Sequence, residues 1–149
     1  MATEPPQKLL RVVIDTNHII SAILSNRGAS SKLIDWMTLE DDYFQLLLSQ
    51  SIWNEYSVVA GWLIPAVLHE ERSRVLEILR AQAIWVEPKQ TLDVCRDESD
   101  NRFLECAVEG NADYLVTKNI KHFPYKRYYD VNIVRIREFL NALESIASD

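Results

Sequence analysis

An α/β fold, with a mostly parallel central sheet of about five strands covered by helices on both faces, is what this 149-residue sequence predicts. Three observations carry that expectation. Short continuous apolar runs, Val12-Val13-Ile14, Phe44 to Leu48, Ala83 to Val86, Tyr114-Leu115-Val116 and Val131 to Val134, read as strands buried on both faces. Segments with helix-cap chemistry and helical spacing stand between them, and such alternation calls for crossover connections and parallel pairing. The length suits one domain with a sizeable core.

Residues 1–10, with Pro5 and Pro6 and no apolar stretch, are expected to form a flexible leader to a single domain over 11–147. The first strand stops at Asp15, and Thr16 and Asn17 supply cap chemistry for a helix from His18 to Leu24. Ser25 to Gly28 reads as a turn, and Ser30 or Ser31 caps a second helix through Leu39. After the Phe44 to Leu48 strand, Ser49 and Ser51 open a helix to about Ala60. Pro65 then starts a long amphipathic helix to Gln82, with Val67, Leu68, Val75, Ile78 and Leu79 inward. Polar residues from Glu87 to Ser99 precede a helix from Asp100 to Glu109, closed by Gly110 in the left-handed conformation of a C′ glycine. A loop of Lys, His, Pro and Tyr separates the fourth strand from the fifth, and a helix from Arg137 to Ile146 follows.

Composition removes several function classes. Gly28, Gly61 and Gly110 are the three glycines, so no Walker or dinucleotide phosphate cradle can be written and no nucleotide cofactor is expected. Cys95 and Cys106 lack the spacing of a disulfide framework or a zinc site and read as buried reduced thiols. No stretch approaches the roughly 18 apolar residues of a membrane span, so a cytoplasmic location without membrane attachment is expected. With 16 Lys plus Arg against 22 Asp plus Glu, the net charge of -6 speaks against a surface made wholly for gripping phosphate. It does not exclude an enzyme acting on nucleic acid.

Ligands of open parallel sheets bind beyond the carboxyl ends of the strands. Asp15 follows the first strand, Thr117, Lys118 and Asn119 follow the fourth, Glu55 lies on the helix after the second, and Asp100 opens the helix before the fourth. Three carboxylates and an amide can therefore meet at one edge. Two unit charges about 4 Å apart repel by roughly 4 kcal/mol at an effective dielectric near 20, so the grouping calls for a cation. Mg²⁺ or Mn²⁺ held by carboxylates and waters is the usual apparatus for hydrolysing a phosphodiester. Each residue alone also has a plainer reading: Asp15 and Asp100 as helix caps, Glu55 as a solvated helix residue, Asn119 as a turn residue. Asp97 reads as a solvated loop acid and Glu105 as a surface or salt-bridging residue.

Several strings carry a resemblance: Val-Val-Ile-Asp-Thr-Asn from Val12, Arg-Gly-Ala-Ser-Ser from Arg27, Asp-Asn-Arg-Phe-Leu-Glu-Cys-Ala from Asp100, Ala-Asp-Tyr-Leu-Val-Thr from Ala112 and Arg-Glu-Phe-Leu from Arg137. In that order, over about Arg11 to Leu143, they resemble the PIN-domain family, in particular its branch of toxin components of prokaryotic toxin-antitoxin systems. The resemblance implies a Rossmann-like, PIN-type α/β/α sandwich and an endoribonuclease dependent on Mg²⁺ or Mn²⁺. Carried over position by position, Asp15, Glu55 and Asp100 would hold the metal and Asn119 would assist. Family members commonly show Thr-x-Asp after the fourth strand, where this chain has Thr117-Lys118-Asn119 and so a neutral oxygen for a charge. Asn17 and Thr117 look like positions that orient the first acid or a metal-bound water. A homodimer and a small antitoxin protein as partner are implied as well.

From Lys118 to Arg137 six cations stand against the single acid Asp130, interleaved with His122, Phe123, Tyr125, Tyr128 and Tyr129. Cations for phosphates beside rings for unpaired bases suit single-stranded RNA, with an ordinary solvated loop as the alternative. Lys118 and Lys121 adjoin the proposed acidic site and are the expected phosphate contacts. Trp36, Trp53, Trp62 and Trp85 read mostly as core, although Trp53, Tyr56 and Trp62 around the Glu55 helix could form an apolar patch for a second copy or an antitoxin helix. The competing class is a module of the same fold that binds RNA or protein without efficient cleavage, weakened by Asn119. A receiver-type signalling domain is disfavoured, because Glu87-Pro88-Lys89 follows the third strand where a phospho-accepting Asp is needed.

Overall fold

The computed structural model describes residues 9–148. The expected leader therefore lies outside the described residues as far as Lys8, while Leu10 already belongs to the first strand. In chain order the elements are β1 (Leu10–Ile14), α1 (Thr16–Leu24), α2 (Ala29–Met37), β2 (Phe44–Leu48), α3 (Gln50–Leu63), α4 (His69–Gln82) and β3 (Ile84–Trp85). There follow α5 (Glu98–Glu109), β4 (Tyr114–Val116), β5 (Arg127–Tyr128), β6 (Val131–Val134) and α6 (Ile136–Ala147). One six-stranded sheet runs in the order β3-β2-β1-β4-β6-β5, parallel throughout except for the β5 edge.

Burial explains why the strands read as continuous apolar runs. Val12, Val13 and Ile14 are fully buried, as are Leu47, Leu48, Leu115 and Val116, so consecutive side chains on both faces are covered. On one side of β1 the chain steps outward through β2 to β3, and it then crosses to β4 on the other side. That reversal separates the carboxyl ends of β1 and β4, the place where parallel α/β sheets open a crevice. Asp15 and Thr117 are the residues that emerge there. α5 packs across β1, β2 and β4, and α6 against β4 and α2.

Three local expectations change. The Arg127–Tyr128 strand pairs antiparallel with β6, a pairing too short to leave a hydrophobic run in the sequence. Pro65 opens a single 3-10 turn, Ala66–Leu68, before α4, and Val67 is 88% exposed rather than inward. Gly110 has φ −84, so the left-handed residue after α5 is Asn111, at φ 53. Gly110 is required for space: a Cβ there would stand 2.7 Å from a Leu47 methyl and 3.1 Å from the Cys106 carbonyl oxygen. Among the described residues no helix is long and apolar enough to cross a membrane.

Candidate active site

A pocket of about 200 Å³ opens at the topological reversal and is lined by Asp15, Glu55, Asp97, Asp100, Asn119 and His122, with Thr16, Asn17, Val59 and Ser99 completing it. Asp15 occupies the N-cap position of α1, yet its carboxylate caps nothing. Instead its Oδ2 accepts a hydrogen bond of 2.7 Å from the buried Thr117 hydroxyl, across the gap between β1 and β4. The same hydroxyl oxygen accepts the Asn119 N–H at 3.0 Å, which ties the loop after β4 to the first acid.

Ser49 caps α3 by accepting the Ile52 N–H, and the helix it starts carries two fastenings to the end of β1. The Tyr56 hydroxyl, fully buried, donates to the Ile14 carbonyl, and the Thr16 hydroxyl donates to the Glu55 carboxylate. Glu55 is thereby held over the pocket as a half-buried side chain, not a solvated one.

At α5 the helix starts two residues earlier than expected, at Glu98, which changes what its acids do. Asp97 is the N-cap, its Oδ1 accepting both the N–H and the hydroxyl of Ser99 at 3.0 Å. Asp100 stands one turn inside, 5% exposed, with Oδ2 3.1 Å from His122 Nδ1. Residues three apart at a helix start share a face, and residues three apart in a 3-10 turn eclipse. The first spacing joins Asp97 to Asp100, and the second, in the turn Ile120–His122, returns His122 to the side of Asn119. Asp97, Asp100 and His122 each offer one ligand atom, all within 4.8 Å of one another. Sequence reading grouped His122 with the stacking rings and read Asp97 as a solvated loop acid; Asp97 is indeed exposed, yet both residues line the pocket beside Asp100. Both were signalled by the two three-residue spacings.

The electrostatics fit a site made for a counter-charge. Burial, and then the charges of Asp15 and Asp97, push the Asp100 carboxyl up to about 6, with His122 pulling the other way. Glu55 is also raised, first by burial and then by Asp15 and Asp97, while the bond from Thr16 opposes the rise. Both shifts mean that negative charge here is costly, and a divalent cation held by these carboxylates would remove that cost.

A PIN-domain family profile matches residues 11–121. The chain belongs to the PIN-domain family. It is 28% identical, over 93% of its length and 95% of the other's, to an uncharacterized protein of Methanocaldococcus jannaschii, MJ1680. Its fold is similar to that of VapBC2 from Rickettsia felis, solved bound to a DNA fragment from their promoter, with TM-score 0.57, 15% identity and coverage of 85% of this chain and 98% of that one. VapBC-1 from nontypeable Haemophilus influenzae compares at TM-score 0.56 and 18% identity, covering 86% of this chain and 99% of that one.

In this PIN domain the expected site residues are not all gathered. Asp15, Glu55, Asp100, Asn119 and Asn17 line one pocket, and Thr117 supports it from behind. Lys118 turns away: its amine donates to the Ser21 hydroxyl at 2.5 Å and lines a neighbouring cleft, because side chains alternate in direction along the backbone leaving β4. Lys121 is exposed and is not part of the pocket wall. Phe123 is buried, and Tyr125 and Tyr128 stack on each other at 5.8 Å, so the basic, aromatic segment is not one continuous strip. Glu105 does pair with a cation, Arg102, at 3.0 Å, but it is buried and also accepts the Leu92 N–H. Tyr56 belongs to the core, whereas Val58, Trp62, Leu63 and Val67 are exposed, Trp62 to 78%.

Proposed function

We propose that this PIN domain is an endoribonuclease dependent on Mg²⁺ or Mn²⁺, and the toxin of a toxin-antitoxin pair. The observation that carries the reading is the convergence of four carboxylates, Asn119 and His122 on one pocket in which acids are already pushed toward protonation. Asp15, Glu55, Asp97, Asp100 and His122 would hold one or two cations. A cation bound there supplies Lewis acidity that activates water and offsets charge on the departing phosphodiester oxygen.

The chain's own groups orient and exclude. Thr117 fixes the Asp15 carboxylate in direction, and Thr16 does the same for Glu55. Tyr56 anchors α3 to β1, so the two acids keep their separation. Asn119 offers a neutral oxygen where the family commonly has an acid, and Asp97 and His122 would add donors to the same pocket. An imidazole among carboxylates favours a borderline metal over Mg²⁺, so Mn²⁺ is the preferred cation of the pair.

A homodimer or an antitoxin segment would cover the exposed apolar side chains of Val58, Trp62, Leu63 and Val67. The cytoplasm is the proposed location.

Purified protein is incubated with single-stranded RNA in EDTA, Mg²⁺ or Mn²⁺, beside Asp15→Ala and Asp100→Ala. Internal cleavage that needs the metal and is lost in both variants is expected. Cleavage persisting in EDTA overturns the mechanism. An inactive wild type that Asn119→Asp converts to an active enzyme would make the natural chain a binding module instead.

A further inference from the structure

Beside the acidic pocket lies a larger cleft, about 660 Å³, between the amino-terminal ends of α2 and α6. Lys118, Arg135 and Arg137 line it, and no acid does. Neither helix has a side-chain cap, so the first amides of both, with their partial positive charge, remain free for a ligand at this end. His18 is part of the wall and only 2% exposed; its Nδ1 meets the Ser30 hydroxyl at 2.8 Å, and its Nε2 is buried without a partner. Burial and Lys118 press the imidazole down to about 4, so it stays neutral and adds no charge of its own to the three cations of the wall. Thr117 belongs to the wall of this cleft and donates to Asp15 in the next, so one residue divides the two.

We infer that this cleft binds a backbone phosphate of the single-stranded RNA substrate adjacent to the phosphate that is cleaved. The inference rests on RNA being the substrate, and it gives the strand a fixed path from cations, over Thr117, to the acids. Phosphate gripped by Arg and helix amides positions a chain without reading its bases, so the cleft contributes affinity and register and not sequence preference.

The test measures binding of a short single-stranded RNA by fluorescence anisotropy in EDTA, across a salt series, for wild type, Arg135→Ala/Arg137→Ala and Arg135→Lys/Arg137→Lys. The alanine pair is expected to bind roughly tenfold more weakly, with the slope of log affinity against log salt reduced by about 0.7 for each phosphate that is no longer neutralised. The lysine pair, whose charge is intact, keeps most of the slope, which separates removal of the phosphate grip from damage to the fold. Unchanged affinity and slope in the alanine pair overturn the inference. Saturable binding of inorganic phosphate that needs Arg135 and Arg137, with RNA binding unaffected, also overturns it and marks a free-anion site. Cleft-dependent RNA binding without cleavage in any metal would sink the nuclease reading alone. Metal-dependent cleavage with the same KM in the alanine pair would sink the cleft alone. A wild type that binds no RNA overturns both.

Discussion

Replacing Asp100 by Asn is expected to stabilise the metal-free protein at neutral pH while abolishing cleavage. The magnitude follows from the carboxyl being moved from 3.8 to about 6 by burial and by Asp15 and Asp97. The folded state holds this proton more tightly than the unfolded chain, so the group's contribution is most favourable below pH 4 and is lost as pH rises toward 6. At about 1.4 kcal/mol per pKa unit, the ionised carboxylate costs roughly 3 kcal/mol at pH 7.5 and about 1 kcal/mol at pH 4.5. For a domain of this size, 1 kcal/mol moves Tm by roughly 2–4 °C. Calorimetry in EDTA should therefore show D100N melting roughly 6–12 °C above wild type at pH 7.5, with a smaller gap at pH 4.5. Excess Mn²⁺ should raise the wild-type Tm and leave D100N nearly unmoved, since binding to the folded state alone stabilises by mass action. A D100N protein that melts below wild type at pH 7.5, or a gap that does not change with pH, refutes the reasoning.

Other expectations use different readouts. Thr117→Val removes the donor to Asp15 and should cut metal affinity or activity about 10- to 100-fold with the Tm within a few degrees, as read by titration calorimetry and RNA cleavage. His122→Ala should weaken Mn²⁺ more than Mg²⁺ in the same titration, and equal losses would remove His122 from the metal's donors. Gly110→Ala should cost about 1–3 kcal/mol in urea unfolding because of the close Leu47, Val86 and Cys106 atoms, while Asn111→Gly, which relieves a positive φ, should be close to neutral.

The sheet was legible because its strands are buried on both faces. A run such as Val12-Val13-Ile14 has no alternation to misread, and its end at Asp15 marks the carboxyl edge where the pocket opens. Short edge pairings left no such trace: Arg127–Tyr128 contributes two residues, one of them charged, to β5. Val67 looked inward because helical spacing was extended through Pro65, and the 3-10 turn breaks that phase before α4 begins. The direction of Lys118 was equally out of reach, since proximity in sequence to the acids says nothing about which side of Thr117 a long side chain takes.

Asp97 and Asp100 show how little error is needed to exchange two functions. Both are acids at a helix start, and moving that start by two residues decides which one turns back to cap its own backbone and which one faces the pocket. Propensity cannot fix a boundary that finely, because the N-cap preference is the same for either residue. The structure resolves it through hydrogen bonds: Asp97 accepts from Ser99 through Oδ1, and one of its carboxylate oxygens lies within 4.8 Å of donor atoms of Asp100 and His122. On the proposed function the cap would also be a metal donor, and Asp97 and His122 would supply donors that a residue-by-residue transfer of family roles does not visit. Asp97→Ala is expected to lower metal affinity by more than the loss of one N-cap lowers stability. Paired titration calorimetry and urea unfolding of D97A separate the two: a variant that loses about 1 kcal/mol of stability but binds Mn²⁺ like wild type leaves Asp97 a cap and nothing more.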